Sequence, residues 1–411
     1  MRERHLLIRN RDFRILWISQ VLSQAGNRMF QIAVAWWILK QGFSNSGFWL
    51  ALFMVLGALP SIALAKWIGR IVDTKSARGV LLLNDLLGGF TALALCCVIA
   101  FDIQSMPFIL LTGVLFAIYS AFIDPTIGKS VSTLVDDPDI EPAVALNSST
   151  TLMASFCGAI AGGMLIDHVG IMGVTLLNGI SYFLAAICDV MINFQRKSSA
   201  PQSSSDLNVG DEEIFKGIPL VKKLLYGFAA VNFFGTPVLI VLPVYAKSAL
   251  NGTGQTLSFL ESTLWLGLIS GTFLAAKVGL KERPIYFAAL CLTSFSIFLA
   301  IPSMKLEYLG YGLSLAGVGI SLGLLNVRLI SLFQKIVPDV KKGRFFALLQ
   351  AMTSFTVPIG LFVFGWLTDF LSIYLVSLVQ GIGLFMIAIF FYLISSKESL
   401  VLDYIPAERK L

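Results

Sequence analysis

Five polar side chains, Gln20, Gln24, Asn27, Arg28 and Gln31, interrupt a long apolar stretch near the start of the chain. On a helix turning about 100° per residue they fall at about 0°, 40°, −20°, 80° and 20°, all on one face. Such a face cannot rest against hydrocarbon. It lines a wet cavity, or it hydrogen-bonds to neighbouring helices. Arg28 carries the most chemistry. A fixed cation at mid-membrane depth costs at least about 2.5 kcal/mol on insertion scales. Either a protein carboxylate offsets it, or an anionic group of a substrate does. Its planar fork grips a carboxylate with two parallel hydrogen bonds, a geometry lysine lacks. The same stretch offers no acid, so the partner comes from another helix, Glu261 or Asp124 among them, or from a ligand.

Other polar residues inside apolar runs are candidates for the same cavity: Asn232 and Thr236, Glu261, then Gln350, Thr353 and Ser354. An isolated Ser or Thr is as well explained by a bond back to its own helix. Among the acids, Glu261 lies about two turns into its run, placed to carry a coupling proton. Asp124 sits near the end of its run and is the second proton-coupling candidate. Asp85 stands one turn into another run, near a charged loop. There are 2 histidines, His5 and His168, too few for a histidine relay. The 5 cysteines (Cys96, Cys97, Cys157, Cys188 and Cys291) all lie in apolar runs without metal-ligand spacing, and read as packing residues. No HExxH, GxSxG or nucleotide-binding loop appears, so no enzyme chemistry, metal, cofactor or ATP-driven step is expected.

The elements that must position these residues follow from composition. Hydrophobic residues make up 56% of 411 and charged ones 13%, against about 25% charged in soluble domains. Mean hydropathy is +0.82. The apolar residues fall in runs near the roughly 20 needed to cross a bilayer as helix. About twelve can be read: 14–39, 47–67, 79–101, 106–128, 144–166, 171–194, 224–246, 255–278, 284–302, 308–333, 345–369 and 374–395. In lipid each must satisfy its backbone internally, which makes it a helix. The net charge of +6 does not indicate nucleic acid, because Lys and Arg sit in short loops. Alternate loops are rich in them (Arg2 to Arg14, Arg70 to Arg78, Arg196 to Lys223, Lys281 and Arg283, Lys335 to Arg344), which predicts both termini in the cytoplasm. No cleavable signal peptide is expected. A Ser-rich, charged interruption at 195–223 reads as a cytoplasmic linker. It gives an N-terminal six-helix bundle at 1–194, a C-terminal one at 224–395, and a cytoplasmic tail at 396–411.

Several motifs carry a resemblance. The loop GRIVDTKSARG resembles the loop signature of the major facilitator superfamily. Gly69 and Asp73 match its first positions, Lys75 and Arg78 supply its cations, and Ser76 and Ala77 depart from it. The resemblance implies a conformational latch of Gly69, Asp73, Lys75, Arg78 and, nearby, Asp85, in which Gly69 admits a close helix and Asp73 bonds a helix N-terminus. GAIAGG at 158–163 resembles the Gly-rich motif of exporters in that superfamily through Gly158, Gly162 and Gly163, with Ala159 in place of its proline. Two longer stretches look like the branch containing macrolide exporters and the enterobactin exporter. Pro125, Leu134, Val135, Leu146 and Asn147 match in the first, and Asn326, Gln334, Val337, Pro338, Gly343 and Arg344 in the second. The likeness covers nearly the whole chain. Two departures are informative: Phe116 stands where many antiporters have an arginine, and Asn27 where relatives often have an acid.

The expected fold is therefore an all-α membrane protein of twelve transmembrane helices in two pseudo-symmetric six-helix bundles. The resemblance implies a monomeric secondary-active transporter of the cytoplasmic (inner) membrane working by alternating access. Export of a drug or siderophore-like metabolite with protons as coupling ion is the leading reading, and an importer or a lipid flippase on the same scaffold is the alternative. A membrane sensor without transport is the reading from another class. An anionic small molecule would meet Arg28.

Overall fold

The computed structural model describes residues 6–101, 106–194, 219–277 and 283–396, and among them finds helices and no strand. A short turn, α1 (Leu6–Arg9), precedes α2 (Arg11–Lys40), α3 (Ser46–Ala63), α4 (Ala65–Thr74), α5 (Ala77–Ala100), α6 (Met106–Leu134) and α7 (Asp137–Met191). Then come α8 (Pro219–Gly235), α9 (Val238–Ser248), α10 (Gly254–Lys277), α11 (Pro284–Ala300), α12 (Tyr308–Ile336), α13 (Asp339–Phe370) and α14 (Ile373–Ser395). Most of the linker at 195–223, with Ser204 in it, and nearly all of the tail at 396–411 lie outside the described residues. α8 begins at Pro219, so helix starts before the expected linker ends.

Among the described residues, 10 stretches are long and apolar enough to cross a membrane. α2 is not one of them, although it runs for 30 residues. Its stripe of Gln, Asn and Arg lowers its hydropathy, and the same polarity that makes it interesting hides it. α7 runs for 55 residues and turns at Gly170, whose φ of 64° is open to glycine at little cost. Its two arms are the expected fifth and sixth spans. Counting α2 and both arms of α7 brings the spans to the expected twelve. The expected second span is broken at Leu64, between α3 and α4. The seventh is broken at Thr236–Pro237, because proline has no amide hydrogen to continue the ladder. Starts are capped where the sequence provides for it: Asn10 accepts from Phe13 N at 2.9 Å, and Ser76 from Gly79 N at 3.2 Å.

The chain divides into two compact units. The first comprises residues 1–43, 52–202 and 253–258. Its centre is α2, lying along both arms of α7. Gly158 and Gly162, the glycines of GAIAGG, are where the two helices touch: a side chain on either would meet Ala25 or Met29 backbone. An aromatic stack follows, with Phe30 on Phe116 at 5.0 Å and Phe116 on Tyr182 at 5.6 Å. The position where an arginine occurs in many antiporters is thus part of an apolar core. The first turn of α10 also belongs to this unit. Asp167 accepts from Gln255 N at 3.2 Å and from Lys40 Nζ at 2.8 Å, and the Ser258 hydroxyl donates to Ala159 O and Ile160 O.

The second unit comprises residues 44–51, 203–252 and 259–411. Here α10 and α12 meet backbone to backbone. A methyl on Gly319 would strike Leu264 O and Leu268 N, one on Gly323 Leu268 O, and one on Gly267 Ala316 O. Small residues four apart on both helices permit this approach. The first turn of α3 belongs to this unit, and Asp369 caps it, accepting from Gly47 N and Phe48 N at 2.8 Å each. Asp167 and Asp369 play the same part, each four residues after a glycine (Gly163 and Gly365) that lies close against a helix start.

Candidate functional site

α2, α6 and both arms of α7 enclose a cavity of about 270 Å³ within the first unit. α2 lines it with Ser23, Gln24, Asn27, Arg28 and Gln31. α6 adds Ser120, Ile123 and Asp124, and α7 adds Thr151, Ala154, Ser155 and Tyr182. Four of the five stripe residues therefore face one space, as the helical spacing predicts. The fifth, Gln20, is 2% exposed and lies one turn away, where its Oε1 accepts from Gln24 Nε2 at 3.1 Å.

The polar groups hold one another in place. Asn27 Nδ2 donates to Ser120 Oγ at 3.1 Å. Thr151 Oγ1 donates to Gln24 Oε1 at 3.4 Å. Arg28 Nη1 donates to Gln31 Oε1 at 3.3 Å, which orients the guanidinium along the stripe. Asp124 of α6 lines the same space, so a cation and a carboxylate border one cavity. The spacing of α2 foretold its own residues. Ser120, Thr151, Ser155 and Tyr182 were missed, because each stands among other polar residues of its span and only tertiary packing singles it out.

A second cavity, of about 150 Å³, lies within the second unit. Val231, Val238, Leu239, Leu264, Trp265, Leu268, Phe295 and Leu322 make it mainly apolar, with Asn232, Thr236 and Asn326 at its wall. Asn232 spends its amide on Phe228 O at 2.9 Å, within its own helix. Glu261 is 4% exposed and does not line the cavity; its Oε2 accepts from Trp265 Nε1 at 3.0 Å. It thereby fixes an indole that does line it. Gln350 is exposed and lines neither cavity, and Thr353 bonds back to Leu349 O at 3.0 Å.

The latch residues are placed differently from the signature's expectation. Nothing lies within 4 Å of where a Gly69 side chain would begin, so no close helix accounts for that glycine here. Asp73 is exposed. The end of α4 is held by Lys129 of α6, whose Nζ donates to the carbonyls of Val72 at 2.6 Å, Asp73 at 3.1 Å and Lys75 at 2.8 Å. Lys75 contributes its carbonyl and not its charge. Arg78, at the start of α5, donates to the Val190 carbonyl of α7. Asp85 is 4% exposed, and Asp189, near the end of α7, is fully buried and accepts from the Ser19 hydroxyl of α2 at 2.8 Å. Arg28 is not the only cation held inside the helices: Arg328 of α12 is 5% exposed and lies 4.9 Å over the Phe287 ring.

A polytopic helical fold with internal cavities on its first and seventh spans is the architecture of a membrane transporter. The sequence comparison makes it specific. Residues 6–409 match the major facilitator family described as transmembrane secretion effector, and the chain belongs to that family. Macrolide efflux protein A of Streptococcus pyogenes is 20% identical over 385 residues, covering 92% of this chain and 94% of the relative. The MFS-type transporter YfiS of Bacillus subtilis (strain 168) is 23% identical over 409 residues, covering 94% of each. Among solved structures, a bacterial homologue of the human lysosomal transporter Spinster superposes with a TM-score of 0.70 at 14% identity, covering 96% of this chain and 98% of the other. A bacterial homologue of the iron transporter ferroportin gives 0.69 at 17% identity, covering 95% and 100%. At those identities the structural matches establish the fold. The family and fold are those of small-molecule transporters, not enzymes.

Proposed function

We propose that this chain exports a small organic molecule bearing an acidic group, by alternating access and in exchange for protons. The observation that carries this reading is the α2 cavity, where Arg28 is oriented by Gln31 amid amide and hydroxyl groups. A guanidinium held in a low-dielectric site favours a carboxylate strongly. At about 270 Å³ the cavity is smaller than the roughly 300–1,000 Å³ of a complete drug-sized site. It accordingly receives one acidic moiety. The apolar cavity of the second unit is a separate subsite for uncharged groups. A carboxylate siderophore or an acidic drug fits this chemistry. Export is supported by the family and by the macrolide efflux relatives.

Asp124 is the coupling carboxylate in this reading, because it lines the same cavity as Arg28. Glu261 is its alternative, although its bond to Trp265 makes it a residue that positions the apolar wall. The loop charges support an orientation with both termini in the cytoplasm, and in this reading the protein works as a monomer in the cytoplasmic membrane. The test is transport in inverted membrane vesicles under an imposed proton gradient. Accumulation of a carboxylate siderophore driven by an acidic lumen is the expected result. Uptake unaffected by collapsing the gradient contradicts proton exchange, and accumulation only in right-side-out vesicles contradicts export.

A further inference from the structure

We propose that Lys129 of α6 is a positioning residue for transport: it clasps the end of α4 by three backbone carbonyls, and so couples the loop between α4 and α5 to a helix that lines the α2 cavity. The link to substrate rests on the reading of that cavity as the binding site, whereas the clasp itself does not.

The clasp answers what a helix end leaves undone. The last four carbonyls of a helix have no partner within it. At the end of α4, Ile71 O accepts from Lys75 N at 2.9 Å. Val72 O and Asp73 O accept from Lys129 Nζ at 2.6 and 3.1 Å. Lys75 lies in extended backbone (φ −98°, ψ 160°) and gives its own carbonyl to the same ammonium at 2.8 Å. A lysine ammonium has three donors, which matches the three carbonyls it meets. A cation in this place also faces the negative end of the helix dipole.

Packing ties α4 to the same helix. Ile68 and Val72 are buried in one cluster with Phe122 of α6 and Val80 of α5. The Trp67 ring meets Phe122 edge-on at 5.9 Å. α4 is therefore docked on α6, while its run from α3 is broken at Leu64. Beyond the clasp, Ser76 caps α5, and Arg78 donates to the Val190 carbonyl of α7. The loop is held by its backbone: Asp73 is exposed and lends the clasp its carbonyl.

α6 carries the connection inward. Lys129 is its one basic residue. Ser120 and Asp124, earlier on the same helix, line the α2 cavity. Pro125 stands between them and Lys129, and its missing amide hydrogen gives the helix a place to bend. A ligand that displaces Ser120 or Asp124 thus acts on a helix whose later turns hold the loop.

Hydrogen–deuterium exchange of the purified full-length protein, without ligand, reads the clasp. Lys129→Met keeps the length of the side chain and removes its donors. It is expected to speed exchange at residues 71–75 about tenfold, as loss of charge-assisted bonding requires. Lys129→Cys alkylated with bromoethylamine restores an ammonium at nearly the same reach, and is expected to return exchange toward that of wild type treated alike. Unchanged exchange in Lys129→Met, or no return on alkylation, overturns the clasp. Should Lys129→Met fail to fold, the wild type decides: a last turn of α4 as protected as its centre supports the clasp, and a frayed one overturns it. For the coupling, Lys129→Met is expected to slow turnover of a carboxylate siderophore several-fold with its Kd unchanged. Unchanged turnover, or loss of binding in step with turnover, overturns the coupling. A wild type that does not bind the siderophore contradicts the reading of the cavity and leaves the exchange result to judge the clasp alone.

Discussion

The cavities of the two units begin from comparable places, the first helix of each half, yet they use opposite chemistry. In the first unit α2 turns Gln24, Asn27, Arg28 and Gln31 into the space, and α6 and α7 answer with Ser120, Asp124, Thr151 and Ser155. In the second unit two of the polar groups are committed within their own helices. Asn232 bonds its own backbone, and Glu261 is taken by the Trp265 indole. What remains toward the space is mainly Val, Leu, Phe and Trp. A helix that spends its polar groups on itself presents an apolar wall, whereas one that turns them toward a shared space presents a polar one. The difference is the basis for proposing that the first unit receives an acidic group.

The comparison can be broken at its scaffold. Gly319→Ile forces a branched side chain into the backbone contact with Leu264 and Leu268, both of which line the apolar cavity. A cost of about 3 kcal/mol or more is expected from such overpacking, read as a lowered melting temperature of the purified protein. If the protein is as stable as wild type, the close α10–α12 contact is not what shapes that cavity.

A smaller effect is expected from Arg28→Gln, confined to anionic ligands. Loss of a charge-assisted bond amounts to about 1.5–3 kcal/mol, or roughly ten- to a hundredfold in Kd. Glu261→Gln sharpens the contrast from the other side. It weakens the hold on Trp265 and should reduce affinity for apolar ligands by about 1 kcal/mol, with binding of carboxylates unchanged in the same titration. Asn27→Ala is the mildest. It removes one neutral bond to Ser120, for about 0.5–1.5 kcal/mol, and a larger loss in equilibrium binding would mean that Asn27 itself touches the ligand.

The legible parts of this protein are those that follow from one helix at a time. The α2 stripe follows from 3.6-residue periodicity, and four of its five residues reach the same cavity. Spans follow from apolar length, although α2 escapes a hydropathy criterion because of that very stripe. Illegible were the groupings that require two helices to meet. Asp189 lies two residues from the end of α7, and only the packing of α2 against it explains its full burial and its bond from Ser19. Asp124 and Arg28 are far apart in sequence, and only the packing of α6 on α2 brings both to one cavity. Gln350, a polar residue inside a span, is exposed and lines neither of the two cavities.

The central claim is that Arg28 selects an acidic group. The direct measurement is equilibrium binding of a radiolabelled carboxylate siderophore and of its methyl ester to the purified protein, in wild type, Arg28→Lys and Arg28→Gln. The account predicts that the free acid binds the wild type more tightly than the ester does. It predicts that Arg28→Lys loses part of that preference and Arg28→Gln all of it, with ester binding unchanged. Equal loss of acid and ester in both variants would contradict it, and would place Arg28 in a structural ion pair instead.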